Sequence, residues 1–181
     1  MSANFGQDIQ TALVIIPPKE FWEQIQAIRK GHDAAYHRWM PHINIMFPFV
    51  QETNFMKTKE LIENELKKNN VKQFDIELKN LSYFNHGRAL ILWTGPGPQN
   101  DESLQRIQKS ATSVLPHLPV RNKYVPHLTL GNSWLNEKSI IESQKTFQQK
   151  WKPIKFTVDA LHLISRKGRN DPFQIITSIK L

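Results

Sequence analysis

One short pattern, written twice, constrains this chain more than any other feature. Residues 41–45 read Pro-His-Ile-Asn-Ile and residues 126–130 read Pro-His-Leu-Thr-Leu, with one copy in each half of the sequence. In both copies apolar residues alternate with polar ones, which is the period of an extended strand with one buried face. The chain is therefore expected to fold so that two similar strands each present a histidine and a small hydrogen-bonding residue.

The polar positions of this pattern are the candidate site. Side chains at i and i+2 of a strand point to the same side, so His42 and Asn44 face one way. His127 and Thr129 are related in the same manner in the second copy. Two such strands facing one cleft would bring together two imidazoles and two hydrogen-bonding side chains.

The segments around the two copies follow a matching order, although their residues differ. Strand, helix, histidine strand, helix and strand succeed one another in the first half, and the second half repeats this order with one added strand. This repetition predicts an α+β fold in a single domain over residues 1–181. We expect two pseudo-twofold lobes, roughly residues 1–86 and 87–181, whose two antiparallel sheets line a central cleft.

Several element boundaries are predicted from local signals. Apolar and β-branched residues over 156–164 predict one continuous strand, and residues 173–181 predict the last strand. A basic loop between them is expected to form the tip of a hairpin. Thr53 and Asn136 are candidate N-caps, because their side chains can accept a bond from a free backbone N–H at the start of a helix.

Composition narrows the class of partner. The chain has 181 residues, a net charge of +8 and no cysteine, which excludes disulfides and thiolate zinc sites. Residues 121–181 hold 11 Lys or Arg and 4 Asp or Glu, so most of the positive field belongs to the last third. Such a field favours anionic partners, phosphates above all, although surface charge can also serve solubility alone. Without a membrane-spanning run or a secretory leader, we expect an intracellular monomer with no membrane contact.

The paired histidines suit phosphate chemistry. Imidazole titrates near pH 6.5, so one histidine can accept a proton from an attacking water or hydroxyl while the other donates one to the leaving oxygen. Asn44 and Thr129 can hold the non-bridging phosphate oxygens. Which of His42 and His127 is the base and which is the acid stays open. No set of converging metal ligands stands out, and we expect neither a metal nor a cofactor.

On these residues the chain resembles the 2H phosphoesterase superfamily, which contains 2′-5′ RNA ligase-like proteins and cyclic phosphodiesterases. Residues 42–45 and 127–130 match the pair of His-x-Thr/Ser-x motifs of that family, except that Asn44 stands where Thr or Ser is usual. The resemblance implies a bilobal fold and a metal-independent reaction at a phosphate next to a ribose 2′ oxygen. The substrates it implies are 2′,3′-cyclic phosphates or 2′-5′ linkages on RNA or nucleotides.

Four further residues are candidates for substrate binding. Tyr124, three residues before His127, could stack on a base. Arg88 opens a strand and could reach the phosphate, while Arg166 and Lys167 at the hairpin tip could draw an RNA backbone to the cleft. Each of these basic residues has an equally plain explanation as a solvent-facing charge.

Two alternative functions use the same residues. A protein of this fold could bind RNA or nucleotides without turnover, and Asn44 in the first motif is the feature that permits this. The resemblance also allows RNA end-joining as a 2′-5′ ligase, which is the same chemistry run in reverse. The plainest explanation of both histidines, as core or turn residues that happen to follow proline, requires the same coincidence twice.

Overall fold

Eight antiparallel strands form one sheet in the computed structural model, which describes residues 6–87, 89–119 and 123–181, with only the backbone for 98–101. The strands are β1 (Gln7–Asp8), β2 (Thr11–Ile15), β3 (Ile43–Met46), β4 (Phe49–Val50), β5 (Phe74–Asn85), β6 (Leu90–Pro96), β7 (Leu128–Gly131), β8 (Ile154–Val158), β9 (Ala160–Ser165) and β10 (Gln174–Lys180). The helices are α1 (Trp22–His32), α2 (Phe55–Lys68), α3 (Pro98–Ser113) and α4 (Glu137–Lys150). The short strands β1 and β4 pair with each other outside the main sheet.

The main sheet consists of two half-sheets joined at their edges. Its strand order is β10-β9-β2-β3-β7-β6-β5-β8, so the two strands that follow the histidines lie side by side at the centre. Ile43 of β3 lies opposite Leu128 of β7, and we call this junction the seam. The predicted α+β fold is confirmed, and the two antiparallel sheets that were expected are continuous across the seam.

The two half-sheets draw their strands from different parts of the chain. β9 and β10 extend the half-sheet of β2 and β3, whereas β5 pairs with β6 and β8 in the other. One half-sheet therefore combines strands from the two ends of the chain, whereas the other uses the consecutive strands β5 to β8. The division into lobes over residues 1–86 and 87–181 stays a prediction about duplication.

The single strand predicted over residues 156–164 is wrong. β8 ends at Val158 and pairs with β5, whereas β9 begins at Ala160 and pairs with β2 in the other half-sheet. Asp159 between them is exposed, and its carbonyl oxygen accepts a bond from the Leu181 N–H at 2.8 Å. Apolar residues predominate in both pieces, so the hydrophobic pattern does not reveal the break.

The helices cover one face of the sheet and leave the other face to the cleft. Leu13 and Ile15 of β2 join the main core, which also contains buried apolar residues of α1, α2, α3 and α4. Ala12 and Val14 alternate with them and form a smaller apolar cluster on the opposite face, which we call the cleft face. No helix within the described ranges is long and apolar enough to cross a membrane.

Helix α4 begins as the sequence predicts, but α2 does not. The Asn136 side chain accepts a bond from the Ser139 N–H at 2.9 Å, which satisfies a free donor of the first turn. Thr53 does not cap α2, because a 3₁₀ turn over Glu52–Asn54 precedes the helix and moves the cap position to Asn54. That cap position makes no side-chain cap bond.

A close approach between α1 and β7 predicts a cost for a methyl group at Gly131. A Cβ there would lie 2.7 Å from both the Cβ and the backbone oxygen of His32, so the helix end would have to move. Gly131→Ala should lower the free energy of unfolding by about 1–3 kcal/mol in a urea titration. Gly31→Ala is the matched control, with nothing within 4 Å of the added Cβ. The control should be neutral or stabilising by up to about 1 kcal/mol, and equal losses in both variants would contradict this packing.

Candidate active site

The two copies of the pattern lie on adjacent strands with their polar side chains on one face. Ile43 and Leu128, opposite each other across the seam, are fully buried in the helix-covered core. Continuing this antiparallel register by one residue in each direction places each histidine opposite the polar residue of the other copy. The polar residues, each half-buried, therefore share the cleft face: His42, Asn44, His127 and Thr129.

Both imidazoles are held by the carbonyl of the residue before the proline. Nδ1 of His42 lies 2.7 Å from the backbone oxygen of Met40, and Nδ1 of His127 lies 2.7 Å from that of Val125. A carbonyl oxygen only accepts, so Nδ1 carries a proton in each ring and Nε2 is the atom left for proton transfer. The intervening proline keeps the preceding residue out of helical backbone, which gives the doubled Pro-His sequence a physical reason.

Asn44 contacts His42 directly. Its amide nitrogen Nδ2 lies 3.1 Å from Nε2 of His42, so the amide donates to the lone pair on that nitrogen. The amide oxygen Oδ1 is buried and has no hydrogen-bond partner among the described residues. The backbone oxygen of Asn44 accepts a bond from the Tyr124 hydroxyl at 2.9 Å, so Tyr124 links the segment before β7 to β3.

Aromatic rings lie against both histidines. Trp39 stacks on His42 with ring centres 4.5 Å apart. Phe84 meets His127 edge to face at 5.0 Å, and the Trp93 ring lies 6.0 Å from the same imidazole. These contacts restrict the rotation of each imidazole about its side-chain bonds.

The electrostatic environment of His42 favours the neutral ring. Burial lowers the pKa of His42 from 6.5 to about 4, because the imidazolium would lose its hydration. The Met40 carbonyl opposes this shift, while the positive charges of Arg29 and His127 lower the pKa further. Asp33, whose carboxylate is paired with Arg29 at 2.8 Å, raises the pKa by the smallest of these effects. His42 is therefore a neutral acceptor at neutral pH.

The predicted basic residues differ in where they lie. Arg166 is only 8% exposed, so the solvent-facing explanation is wrong for it. Its guanidinium donates to the backbone oxygens of Arg169 at 2.6 Å and Ile9 at 3.2 Å. Lys167 is exposed, and Arg88 lies outside the described residues. Substrate binding by any of the three stays a prediction.

Sequence reasoning did not point to Gln108, which lies beside the site. Gln108 lines a cavity that also reaches Asn44 and His127. In α3 it falls between Leu104 and Ala111, four residues after one and three before the other, on the stripe that packs into the core. A polar residue within an apolar helical stripe was the signal available in the sequence.

Comparison with known proteins identifies the family of the chain. The chain belongs to the 2′-5′ RNA ligase superfamily, whose model matches residues 17–170. It is similar to a candidate phosphoesterase of Staphylococcus saprophyticus, with 22% identity over 170 residues that cover 93% of this chain and 97% of the relative. This membership confirms the resemblance to the 2H phosphoesterases.

Solved structures share the fold. Apo LigT from E. coli matches with a TM-score of 0.65 at 15% identity, covering 97% of this chain and 99% of LigT. LigT complexed with 3′-AMP has the same TM-score, 0.65, and covers 95% of this chain and 97% of LigT at 15% identity. The chain thus has the fold of the LigT-like proteins.

The protonation of His42 gives a direct test of this site. In an NMR titration of the imidazole Cε1–H signals, His42 should titrate near pH 4, with His42→Gln used to assign the resonance. The unfolded chain binds this proton near pH 6.5, so the free energy of unfolding should fall as the pH drops from 6.5 towards 4. A midpoint at pH 6.5 for the folded protein would show that the ring keeps its full hydration.

Proposed function

We propose that this chain is a metal-independent phosphodiesterase that uses His42 and His127 as an acid–base pair. Its substrates are RNA or nucleotide phosphodiesters that involve the ribose 2′ oxygen, as 2′,3′-cyclic phosphates or 2′-5′ linkages. One observation carries the proposal: the carbonyls of Met40 and Val125 hold Nδ1 of the two rings in the same way, next to one seam. This arrangement leaves the two Nε2 atoms for proton transfer on one face.

The two histidines have different roles because their environments differ. Neutral His42 accepts through Nε2 the proton of a water whose oxygen attacks the phosphorus of a 2′,3′-cyclic phosphate. Protonated His127 donates from Nε2 to the ribose oxygen as its bond to phosphorus breaks, which gives a phosphomonoester and a hydroxyl. The low pKa of His42, about 4, supports its assignment as the base.

The polar partners of the histidines bind the phosphate. Thr129 offers a hydroxyl and Asn44 an amide to the non-bridging oxygens, where negative charge builds up in the transition state. In the resting site the Asn44 amide donates to His42 Nε2 at 3.1 Å. Substrate binding would exchange that acceptor for a phosphate oxygen and leave His42 Nε2 available to the water.

The family relatives and the charge of the chain support a nucleotide or RNA substrate. LigT has been crystallised with 3′-AMP, a nucleotide with a phosphate on its ribose. The net charge of +8 would attract a phosphate backbone. RNA end-joining as a 2′-5′ ligase is the reverse of the same proton transfers and requires no other residues.

One contact favours a second candidate function, nucleotide or RNA binding without turnover. The Asn44 amide occupies the His42 nitrogen that the proposed reaction needs. A site that kept this contact in the bound state would recognise the ligand and leave the phosphodiester intact. Salt-dependent RNA binding without cleavage of any substrate would identify this case.

Alanine variants of the histidines test the proposed reaction. With EDTA present, the wild type is offered the four nucleoside 2′,3′-cyclic monophosphates, a short RNA ending in a cyclic phosphate, and a 2′-5′-linked oligoadenylate. Products are separated by chromatography and identified by mass. His42→Ala and His127→Ala should each lower kcat by about 10²–10⁴-fold, the usual contribution of a general acid or base. His37→Ala, at an exposed histidine, is the matched control, and equal rates in all three variants would disprove the pair.

Substitutions of Asn44 test the role of the departure from the family motif. Asn44→Leu has a similar size without hydrogen-bonding groups and should lower kcat by roughly 10²-fold, as does the loss of one transition-state donor. Asn44→Thr restores a hydroxyl donor and should keep the rate within about 10-fold of the wild type. Steady-state kinetics on the best cyclic substrate measures both variants. If Leu were tolerated as well as Thr, Asn44 would have no contact with the transition state.

A further inference from the structure

A cavity of about 360 Å³ opens on one side of the proposed active site. It begins at Asn44 and His127 and runs between the end of β3, the segment before β7, and helix α3. Its volume lies at the small end of the range for ligand pockets, so it suits one compact group and not a stretch of chain. A group bound there would lie next to a phosphate at His127.

The walls of this cavity are mostly apolar. Side chains from four segments form them: Met46, Phe47, Phe84, Ile91, Tyr124 and Val125. The described lining residues include no carboxylate, and the cation of Lys123 lies at the exposed edge. This chemistry suits a flat, uncharged group that is attached to an anion.

Gln108 is the polar group best placed to recognise such an occupant. The residue is 9% exposed and lines the cavity. No hydrogen bond joins its side-chain amide to any residue of the described part of the chain, although its backbone oxygen accepts one from Thr112 at 3.0 Å. The amide is therefore open to a ligand that supplies both a donor and an acceptor.

We propose that this cavity holds the nucleobase of the substrate and that the Gln108 amide hydrogen-bonds to the edge of that base. The inference rests on the proposed function for the position of the phosphate, and it adds the group that the enzyme recognises beyond the ribose phosphate. Half a turn of the amide exchanges its donor and acceptor, so Gln108 can pair with any of the bases. Gln108 therefore makes nucleotides with a base bind more tightly than compounds without one, but it does not discriminate strongly among the bases.

The test compares a nucleotide with its base-free counterpart. The substrates are adenosine 2′,3′-cyclic monophosphate and ribose 2,3-cyclic phosphate. Each is offered to the wild type, to Gln108→Leu and to Gln149→Leu. Gln149 lies on the exposed side of α4 and is the matched control. Gln108→Leu should raise KM for the adenosine substrate by about 5- to 10-fold, the effect of losing one or two hydrogen bonds. Its kcat should stay within about 3-fold, and KM for the ribose substrate should not change. The Gln149→Leu control should match the wild type on both.

Binding measurements separate this inference from the proposed reaction. Calorimetry with adenosine 2′-monophosphate and ribose 2-phosphate needs no turnover. If the wild type turns over nothing but binds the adenosine compound more tightly, and Gln108→Leu loses that preference, the base site stands and the proposed reaction fails. Equal affinity of the wild type for the two compounds would overturn the base site. An equal rise in KM for both substrates in Gln108→Leu would also overturn it, because a purely structural defect acts on both.

Discussion

The seam between β3 and β7 is the constraint on which the rest of this structure depends. Ile43 and Leu128 lie opposite each other in the core. That register places four polar side chains together on the cleft face. A slip of one residue in either strand would turn its histidine into the core. The Tyr124 hydroxyl also connects the segment before β7 to β3, because it donates a hydrogen bond to the Asn44 backbone oxygen at 2.9 Å. Stability and the site therefore rest on the same junction.

The two histidines of the site are held by the same kind of hydrogen bond, but their electrostatic environments differ. Each ring has Nδ1 held at 2.7 Å by the carbonyl before a proline, and each is flanked by aromatic rings. His42 differs because desolvation and the nearby positive charges lower its pKa to about 4, and because an amide occupies its Nε2. The two imidazoles are therefore held in the same way and differ in the charges and polar groups around them.

The sequence predicts what depends on local periodicity and misses what depends on long-range pairing. The alternation around His42 and His127 was enough to put four polar groups on one face, and Asn136 was recognisable as a cap. The break at Asp159 cannot be recognised in the sequence, because apolar residues predominate in both β8 and β9. The two strands differ in their pairing partners, β5 for β8 and β2 for β9, which are distant in sequence. The burial of Arg166 could not be predicted either, because one of the backbone oxygens that its guanidinium contacts belongs to Ile9, at the other end of the chain.

The pH dependence of kcat/KM is the decisive measurement for the proposed acid–base pair, since it reports the ionisations of the free enzyme. Rates on the best cyclic phosphate would be measured from about pH 3 to about pH 9. If His42 is the base, the profile is bell-shaped and its acid limb has its midpoint near the His42 pKa of about 4, because that ring must be neutral to accept a proton. If His127 is the acid, the rate also falls on the alkaline side, because that ring must carry a proton to donate one. A profile that rises only as the pH falls towards 4 would require a protonated His42 and contradict its assignment as the base.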